Sequence, residues 1–256
     1  MQPVTICAVI NTYNEERYLA NCLGHLRWVD EIVVVDMHST DKSVEICRQY
    51  TDKIYFHQPE ISVLYARNFA VSKAASDWVL VVDPDEIIPP ALAKKIRELT
   101  SAPGDFSALA LPRQAIFFGK QLKSYPVEFQ VRCFRRGAAF YPERVHSLPE
   151  IQGEVYYIRQ EQGLSMLHYP WNNIYESLEK INRYTSDEAR HRYTDDGVRF
   201  SFYRLLKNPA SELIHRYFLR RGYRDGIEGF LASALMAFYH FLIQAKLWEI
   251  EAGIKK

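Results

Sequence analysis

With 256 residues and a net charge of +1, the chain has no global pull toward nucleic acid or membrane, so any electrostatic function must be local. Its 48% hydrophobic and 25% charged residues are ordinary for a soluble protein and enough for one large α/β domain, or a domain with an appendage. The four cysteines, Cys7, Cys22, Cys47 and Cys133, form no C-x-x-C pair, which reads as reduced thiols and not as a disulfide framework or zinc site.

Met1-Gln2-Pro3 lacks positive charge and the apolar stretch 4–10 is too short for a secretory signal, so a cytoplasmic location is expected. Val4-Thr5-Ile6-Cys7-Ala8-Val9-Ile10 is a continuous apolar run, as in a strand buried on both faces of a parallel sheet. Residues 15–28 follow with Tyr18, Leu19, Cys22, Leu23 and Leu26 at helical spacing. Ile32-Val33-Val34-Val35 is a second buried strand, 41–50 a helix, 53–57 a short strand and 62–75 another helix. Trp78-Val79-Leu80-Val81-Val82 is the fourth strand, and Pro89 opens a helix to about residue 100. Alternation of this kind predicts right-handed βαβ units in an open, doubly wound sheet.

After Ser101-Ala102-Pro103-Gly104 the rhythm changes. The runs 107–112, 115–119, 130–134 and 154–158 are short and β-like, and are expected to extend the sheet as mixed or antiparallel strands. From residue 174 the chain reads as helical: 174–192, a break near Asn208-Pro209, then 211–221 and finally 226–251, the most hydrophobic segment of all.

Ligands of an open parallel sheet bind beyond the carboxyl ends of its strands. The first strand ends in Asn11-Thr12-Tyr13-Asn14-Glu15-Glu16, the second in Asp36 with His38-Ser39-Thr40-Asp41, and the fourth in Asp83-Pro84-Asp85-Glu86. No Gly-x-Gly-x-x-Gly or Gly-Lys-Ser/Thr loop is present, which disfavours a dinucleotide or P-loop site. Two aspartates flanking one residue after a buried strand direct oxygen ligands toward one point, which suits Mn²⁺ or Mg²⁺ with substrate phosphates. Asp41 has two readings, one at the site and one as a helix cap.

These stretches, together with Ala66-Arg67-Asn68, resemble the family 2 glycosyltransferases with a GT-A fold, and among them a bacterial subgroup that includes lipopolysaccharide core glucosyltransferases. The likeness continues through Arg132-Cys133-Phe134-Arg135-Arg136-Gly137, Arg144-Val145-His146, Leu167-His168-Tyr169-Pro170 and Ala245-Lys246-Leu247-Trp248-Glu249. It implies a GT-A catalytic domain over 1–172, divided into a nucleotide-sugar half (1–103) and an acceptor half (104–172), with a helical extension over 173–256. It further implies that Thr12, Tyr13, Asn14, Glu15 and Asp36 surround the nucleoside and that Arg67 lies near the base or diphosphate. Asp83 is expected at the ribose and metal, Asp85 on the metal, and His168 on the metal or diphosphate. One departure is Met37-His38, where relatives usually carry a small residue and glycine.

The resemblance implies an inverting transfer of a hexose from a UDP-sugar to a lipid-linked glycan. Such a transfer needs a base, and Glu143, His146 and Glu150 all stand as candidates because Ser147 replaces the acidic residue usual after the histidine. That replacement also keeps open a catalytically impaired nucleotide-sugar or glycan-binding protein. Arg132 and Arg135, with Arg136, are candidates for an anionic acceptor or simply an exposed basic turn. The last helix, with Arg216, Arg220, Arg221 and Arg224 upstream, is expected to lie on the inner face of the cytoplasmic membrane, the alternative being a packed helix or a homo-oligomer.

Overall fold

The computed structural model describes residues 3–58, 66–102, 104–142 and 148–254. In chain order the elements are β1 (Ile6–Thr12), α1 (Glu16–Gly24), β2 (Glu31–Asp36), α2 (Ser43–Cys47), β3 (Ile54–Phe56), α3 (Arg67–Ser72), β4 (Trp78–Val81), β5 (Glu86–Ile87) and α4 (Pro90–Ser101). There follow β6 (Phe106–Phe117), β7 (Lys120–Gln121), β8 (Glu128–Arg135), β9 (Ala139–Phe140), β10 (Glu150–Ile151), β11 (Glu154–Tyr157) and β12 (Met166–Trp171). The chain closes with α5 (Ile174–Thr194), α6 (Phe202–Leu213), a π-helical stretch (Ile214–Leu219), a 3₁₀ turn (Gly222–Asp225) and α7 (Gly226–Glu251).

Two compact units result: residues 1–114 with 127–168, and residues 115–126 with 169–256. In the first, the sheet order is β3-β2-β1-β4-β8-β6-β12-β5. β1 pairs in parallel with β2 and β4, and β2 with β3. From β4 outward the sheet turns antiparallel through β8 and β6, as the loss of strand–helix rhythm predicts. The run at 107–112 and the start of that at 115–119 belong to one long strand, β6, which ends at Phe117, because the pairing with β8 and then β7 continues across both.

The continuous apolar runs are explained by burial on both faces. Ile6, Ala8 and Ile10 point to a core shared with Leu19, Leu23, Leu92 and Ile96 of α1 and α4. Cys7 and Val9 point the other way, with Val33, Val79, Val81 and Ala70 of α3. Period-two alternation therefore hides in the sequence, since both alternating sets are apolar. All four cysteines are buried.

The second unit is helical, with the β6–β7 hairpin end included. Phe117, Leu122, Trp171, Ile181 and Ala232 form one core, and Ala189, Ile243 and Leu247 another. The break expected at Asn208-Pro209 is absent: α6 begins at Phe202 and runs through Pro209. Packing of α6 along α7 outweighs the hydrogen bond that proline removes. Close approach is set by Gly229, where an added Cβ would stand 2.2 Å from the Gly222 carbonyl oxygen. Lys246 is buried, and its ammonium donates to Asn182 O, Asn182 Oδ1, Thr185 Oγ1 and Ser186 Oγ at 2.5–2.8 Å, fastening α7 to α5. By length and composition Gly222–Glu251 is apolar enough to cross a membrane, yet a third of its apolar window is buried inside the protein.

Candidate functional site at the carboxyl ends of β1, β2 and β4

The chain builds β1, β2 and β3 to one side of the sheet and then returns to place β4 on the other side of β1. The crevice between the carboxyl ends of β1 and β4 is thus the point where strand order reverses, the place where open sheets bind ligands. Asn11 and Thr12 end β1 there, 2% and 0% exposed, and Tyr13 follows at the surface. The Asn14 backbone N–H donates to Ser39 Oγ at 2.9 Å, and Asn14 Oδ1 accepts from Thr40 N–H at 2.8 Å. Glu15 N–H donates to Ser43 Oγ at 2.9 Å. These bonds lock the loops after β1 and β2 to each other.

Asp36 is fully buried at the end of β2 and accepts from Ser39 N–H at 2.9 Å and Ser39 Oγ at 2.5 Å. His38 takes φ +61, the left-handed region that favours glycine, and its ring stacks on Phe56 at 5.7 Å. Asp41 accepts from Glu16 N–H at 3.1 Å and Ser43 N–H at 2.9 Å, so it caps the first turns of both α1 and α2. Partial burial would raise its pKa, but these donors win and hold the carboxyl below its ordinary value. Of the two readings of Asp41, the cap is the one that accounts for its contacts.

Asp83 is the centre of a charge network. One carboxylate oxygen pairs with Arg67 and the other with Arg132 Nη2 at 2.6 Å. Arg132 also reaches Glu86 Oε1 at 2.8 Å, and Arg113 joins that oxygen at 3.4 Å while bonding Glu128 at 2.9 Å. Glu86 is fully buried and its other oxygen accepts from Asp83 N–H at 3.0 Å. Burial pushes Asp83 up, but Arg132 and Arg67 overcome it and bring the carboxyl down to about 2. Burial likewise opposes the Arg132 charge, and Asp83 and Glu86 outweigh it and raise its pKa. Ala66-Arg67-Asn68 serves the crevice residue by residue: Ala66 O accepts from Asn11 at 3.1 Å, Arg67 holds Asp83, and Asn68 clasps the Tyr141 backbone at 2.7 and 2.9 Å. The Tyr141 ring lies under the Arg67 guanidinium at 5.4 Å.

Antiparallel pairing of β12 with β5 sets His168 opposite Glu86, and His168 Nε2 stands 3.7 Å from Asp85 Oδ2. Among the described residues no group of three His, Cys, Asp or Glu side chains stands ready to hold a metal by itself. The donor set nevertheless fits a Mg²⁺ or Mn²⁺ ion, which takes one or two protein ligands and completes its shell with waters and substrate phosphates. Of the seven buried side-chain polar atoms without a hydrogen-bond partner among the described residues, five belong to Asn11, Thr12, Arg67, Arg132 and Tyr141. Buried polar atoms are ordinarily satisfied, so their concentration here matches a crevice shaped for a polar ligand.

Not every expected residue reaches this crevice. Arg132 is 5% exposed and bound to Asp83 and Glu86, so it is no part of an exposed basic turn. Arg135 pairs with Trp78 at the amino end of β4, the opposite end from Asp83. Its guanidinium lies 4.9 Å over the Trp78 ring and donates to the Phe106 and Gly104 carbonyls. Alternation and register along β8 place these two arginines in different surroundings, which their nearness in sequence conceals. Glu150 is exposed on β10, opposite Phe140. Glu143 and His146 lie outside the described residues. Sequence reasoning passed over Arg113 and Tyr141, which had no local motif to mark them, and left Glu86 without a role.

The chain is 28% identical over 255 residues to the lipopolysaccharide core biosynthesis glycosyltransferase LpsC of Rhizobium meliloti, covering 96% of this chain and 93% of that protein. An uncharacterised glycosyltransferase of Rickettsia typhi is 27% identical, with 96% and 87% covered. Among solved structures, the fold is similar to a mannosyltransferase of Pyrobaculum calidifontis in complex with GDP-Man and Mn²⁺, with TM-score 0.54, 16% identity and 95% and 86% of the two chains covered. It is also similar to S. aureus TarS 1–349, with TM-score 0.50, 15% identity and 98% and 92% covered. The architecture is the GT-A glycosyltransferase fold. The model of glycosyl transferase family 2 matches residues 7–142, more than half of the sequence, and the chain belongs to that family of enzymes.

Proposed function

We propose that this glycosyltransferase moves a hexose from a nucleoside-diphosphate sugar, in the first instance a UDP-sugar, to a lipid-linked glycan such as lipopolysaccharide core, with inversion at the anomeric carbon. The observation that carries the donor half is the cluster of buried, unpartnered polar atoms around Asp83 at the switch point of the sheet. The mannosyltransferase of the same fold, solved with GDP-Man and Mn²⁺, supports a nucleotide-sugar and a divalent cation. The acceptor class rests on LpsC, whose name places it in lipopolysaccharide core biosynthesis. An acceptor of that kind is met at the cytoplasmic face of the membrane.

In this reading Thr12, Tyr13, Asn14, Glu15 and Asp36 flank the nucleoside, and carboxylate and amide groups read its hydroxyls and ring N–H. Arg67 would lie near the base or diphosphate, and with Arg132 it keeps Asp83 ionised and fixed. Asp85 and His168, with Asp83, would hold Mn²⁺ or Mg²⁺; when bound, the cation neutralises charge gathering on the departing diphosphate. Glu86 orients the turn by accepting from the Asp83 amide. The acceptor hydroxyl loses its proton to one of Glu143, His146 or Glu150 as it attacks the anomeric carbon.

Thermal melting of the chain with UDP, GDP and their hexose conjugates, with and without Mn²⁺, tests this directly. At ligand one hundred times its Kd, stabilisation of about 3 kcal/mol is expected from one nucleotide class, and it should require the metal. No stabilisation by any of these nucleotides in the presence of Mn²⁺ would sink the reading.

A further inference from the structure

Helix α6 turns large apolar side chains to water. A helix at a protein surface ordinarily turns a polar side to water. Here Tyr203, Leu206, Ile214 and Phe218, with Ala210 between them, recur along one side of α6 and the π-helical stretch, and these four large side chains are 52–68% exposed. The same helix lies along α7, so its other side is already occupied. Exposed apolar surface of this extent marks a contact site.

The charges around the stripe are of one sign. Residues 197–227 carry seven Lys or Arg against only Glu212 and Asp225. Both acids are engaged inside the unit: Glu212 pairs with Arg216, and buried Asp225 accepts the Lys123 and Ser124 amides at 2.9 Å. Arg204, Lys207, Arg220, Arg221 and Arg224 are exposed. Lys207 lies 5.3 Å from the Tyr203 ring, so cation and aromatic are interleaved on one surface.

We propose that α6 and the π-helical stretch lie in the plane of an anionic lipid surface, with the apolar stripe in the headgroup–acyl boundary and the arginines and Lys207 on lipid phosphates. Amphipathic helices with aromatic and aliphatic residues on one face and Lys/Arg beside it bind membranes in this way. A second copy of the chain is disfavoured as the occupant, because a two-fold contact through α6 sets the same basic row against itself. The long helix α7 contributes Phe230, Phe238 and Phe241 at its own open side. Its buried Gln244 and Lys246 and its packing on α5 and α6 keep it in the protein. This inference deepens the proposed function by giving a lipid-linked acceptor a surface to arrive on, but it rests on different residues.

Sedimentation of the full chain with vesicles of phosphatidylcholine alone, or mixed with phosphatidylglycerol, tests it. Binding is expected to the mixed vesicles only, and to weaken in high salt. Leu206→Asp with Phe218→Asp should reduce partitioning at least about tenfold, and Arg204→Gln or Lys207→Gln about fivefold each. The positions are exposed, so melting temperature and nucleotide stabilisation should stay at the wild-type values. If the double variant melts early, the Arg204→Gln and Lys207→Gln proteins carry the test instead. Equal binding to both vesicle types, no binding to either, unchanged partitioning of the variants, or a dimer that the stripe variant splits would each overturn the proposal. Failure of nucleotide binding with vesicle binding intact would count against the proposed function and not against this surface.

Discussion

The two units handle charge and apolar surface in opposite ways. The first gathers Asp36, Arg67, Glu86 and Arg132 into its interior at one end of the sheet, each no more than 5% exposed. The second turns apolar residues outward: of the 24 exposed large apolar side chains among the described residues, 17 belong to it. Buried charge is tolerated only when paired, and what it gives in return is fixed orientation at a site where charge develops during reaction. Exposed apolar area does the reverse work, since it is stabilised only by something that covers it. The difference separates a region built for chemistry from one built for contact.

The sharpest way to break this contrast is to remove the cation that the first unit encloses. Arg132→Met leaves Asp83 and Glu86 facing each other with Arg67 and Arg113 as the remaining cations. Breaking a buried pair in this manner costs about 3–5 kcal/mol. A denaturant titration should show that loss, along with loss of nucleotide stabilisation. Asp85→Ala is the matched comparison: its side chain is 17% exposed and stands 3.7 Å from His168. Metal-dependent nucleotide binding should disappear in that variant while the unfolding midpoint stays put. An Arg132→Met protein of wild-type stability would show that the network does not hold the strand ends.

Legibility in the sequence follows the same divide between local and long-range order. β1, β2 and β4 were readable because burial on both faces makes every residue of a strand apolar. The aspartates were readable because an open sheet binds ligands beyond its carboxyl ends, so strand ends could be inspected one by one. β12 was not, since Met166–Trp171 contains histidine and proline and only its end residues are buried. With it went the reason why His168 meets Asp85, which is a matter of register with β5. Arg132 reaches Asp83 across 49 residues of chain through antiparallel pairing, and no periodicity encodes a partner strand. Pro209 misled because propensity is local, whereas the face of α6 against α7 is a tertiary gain.

In the second unit two charged side chains among the described residues, Asp225 and Lys246, are buried, and the lysine is the exception that sharpens the rule. The Lys246 ammonium meets four acceptors of α5 and no carboxylate among them. Lys246→Met keeps the methylene packing and strands those acceptors, a change worth about 2 kcal/mol. Lys246→Arg should lose nearly as much, because a planar guanidinium does not fit a site shaped around an ammonium. Calorimetric melting of the two variants checks both figures. A neutral Lys246→Met would mean that α5 and α7 are joined by apolar contact alone.

The smallest effect concerns Asp41 in the loops of the first unit, whose charge serves as a cap and not as a ligand site. Asp41 joins the amino ends of α1 and α2, so Asp41→Ala should cost about 1 kcal/mol and leave metal-dependent nucleotide binding intact. Its carboxyl titrates below the ordinary value in the folded chain. The unfolded chain therefore binds this proton more readily than the folded one, and the stabilisation is complete above the ordinary carboxylate pKa and fades as pH falls through the lower, folded value. Asp83 adds to the same acid loss, being held at about 2 by Arg132 and Arg67. The difference in stability between wild type and Asp41→Ala should accordingly shrink in acid, and it should be flat from pH 5 upward, because Asp41 is ionised in both states there. A gap that widened with acid, or nucleotide binding lost with the cap, would move Asp41 from the scaffold of the loops to the ligand they hold.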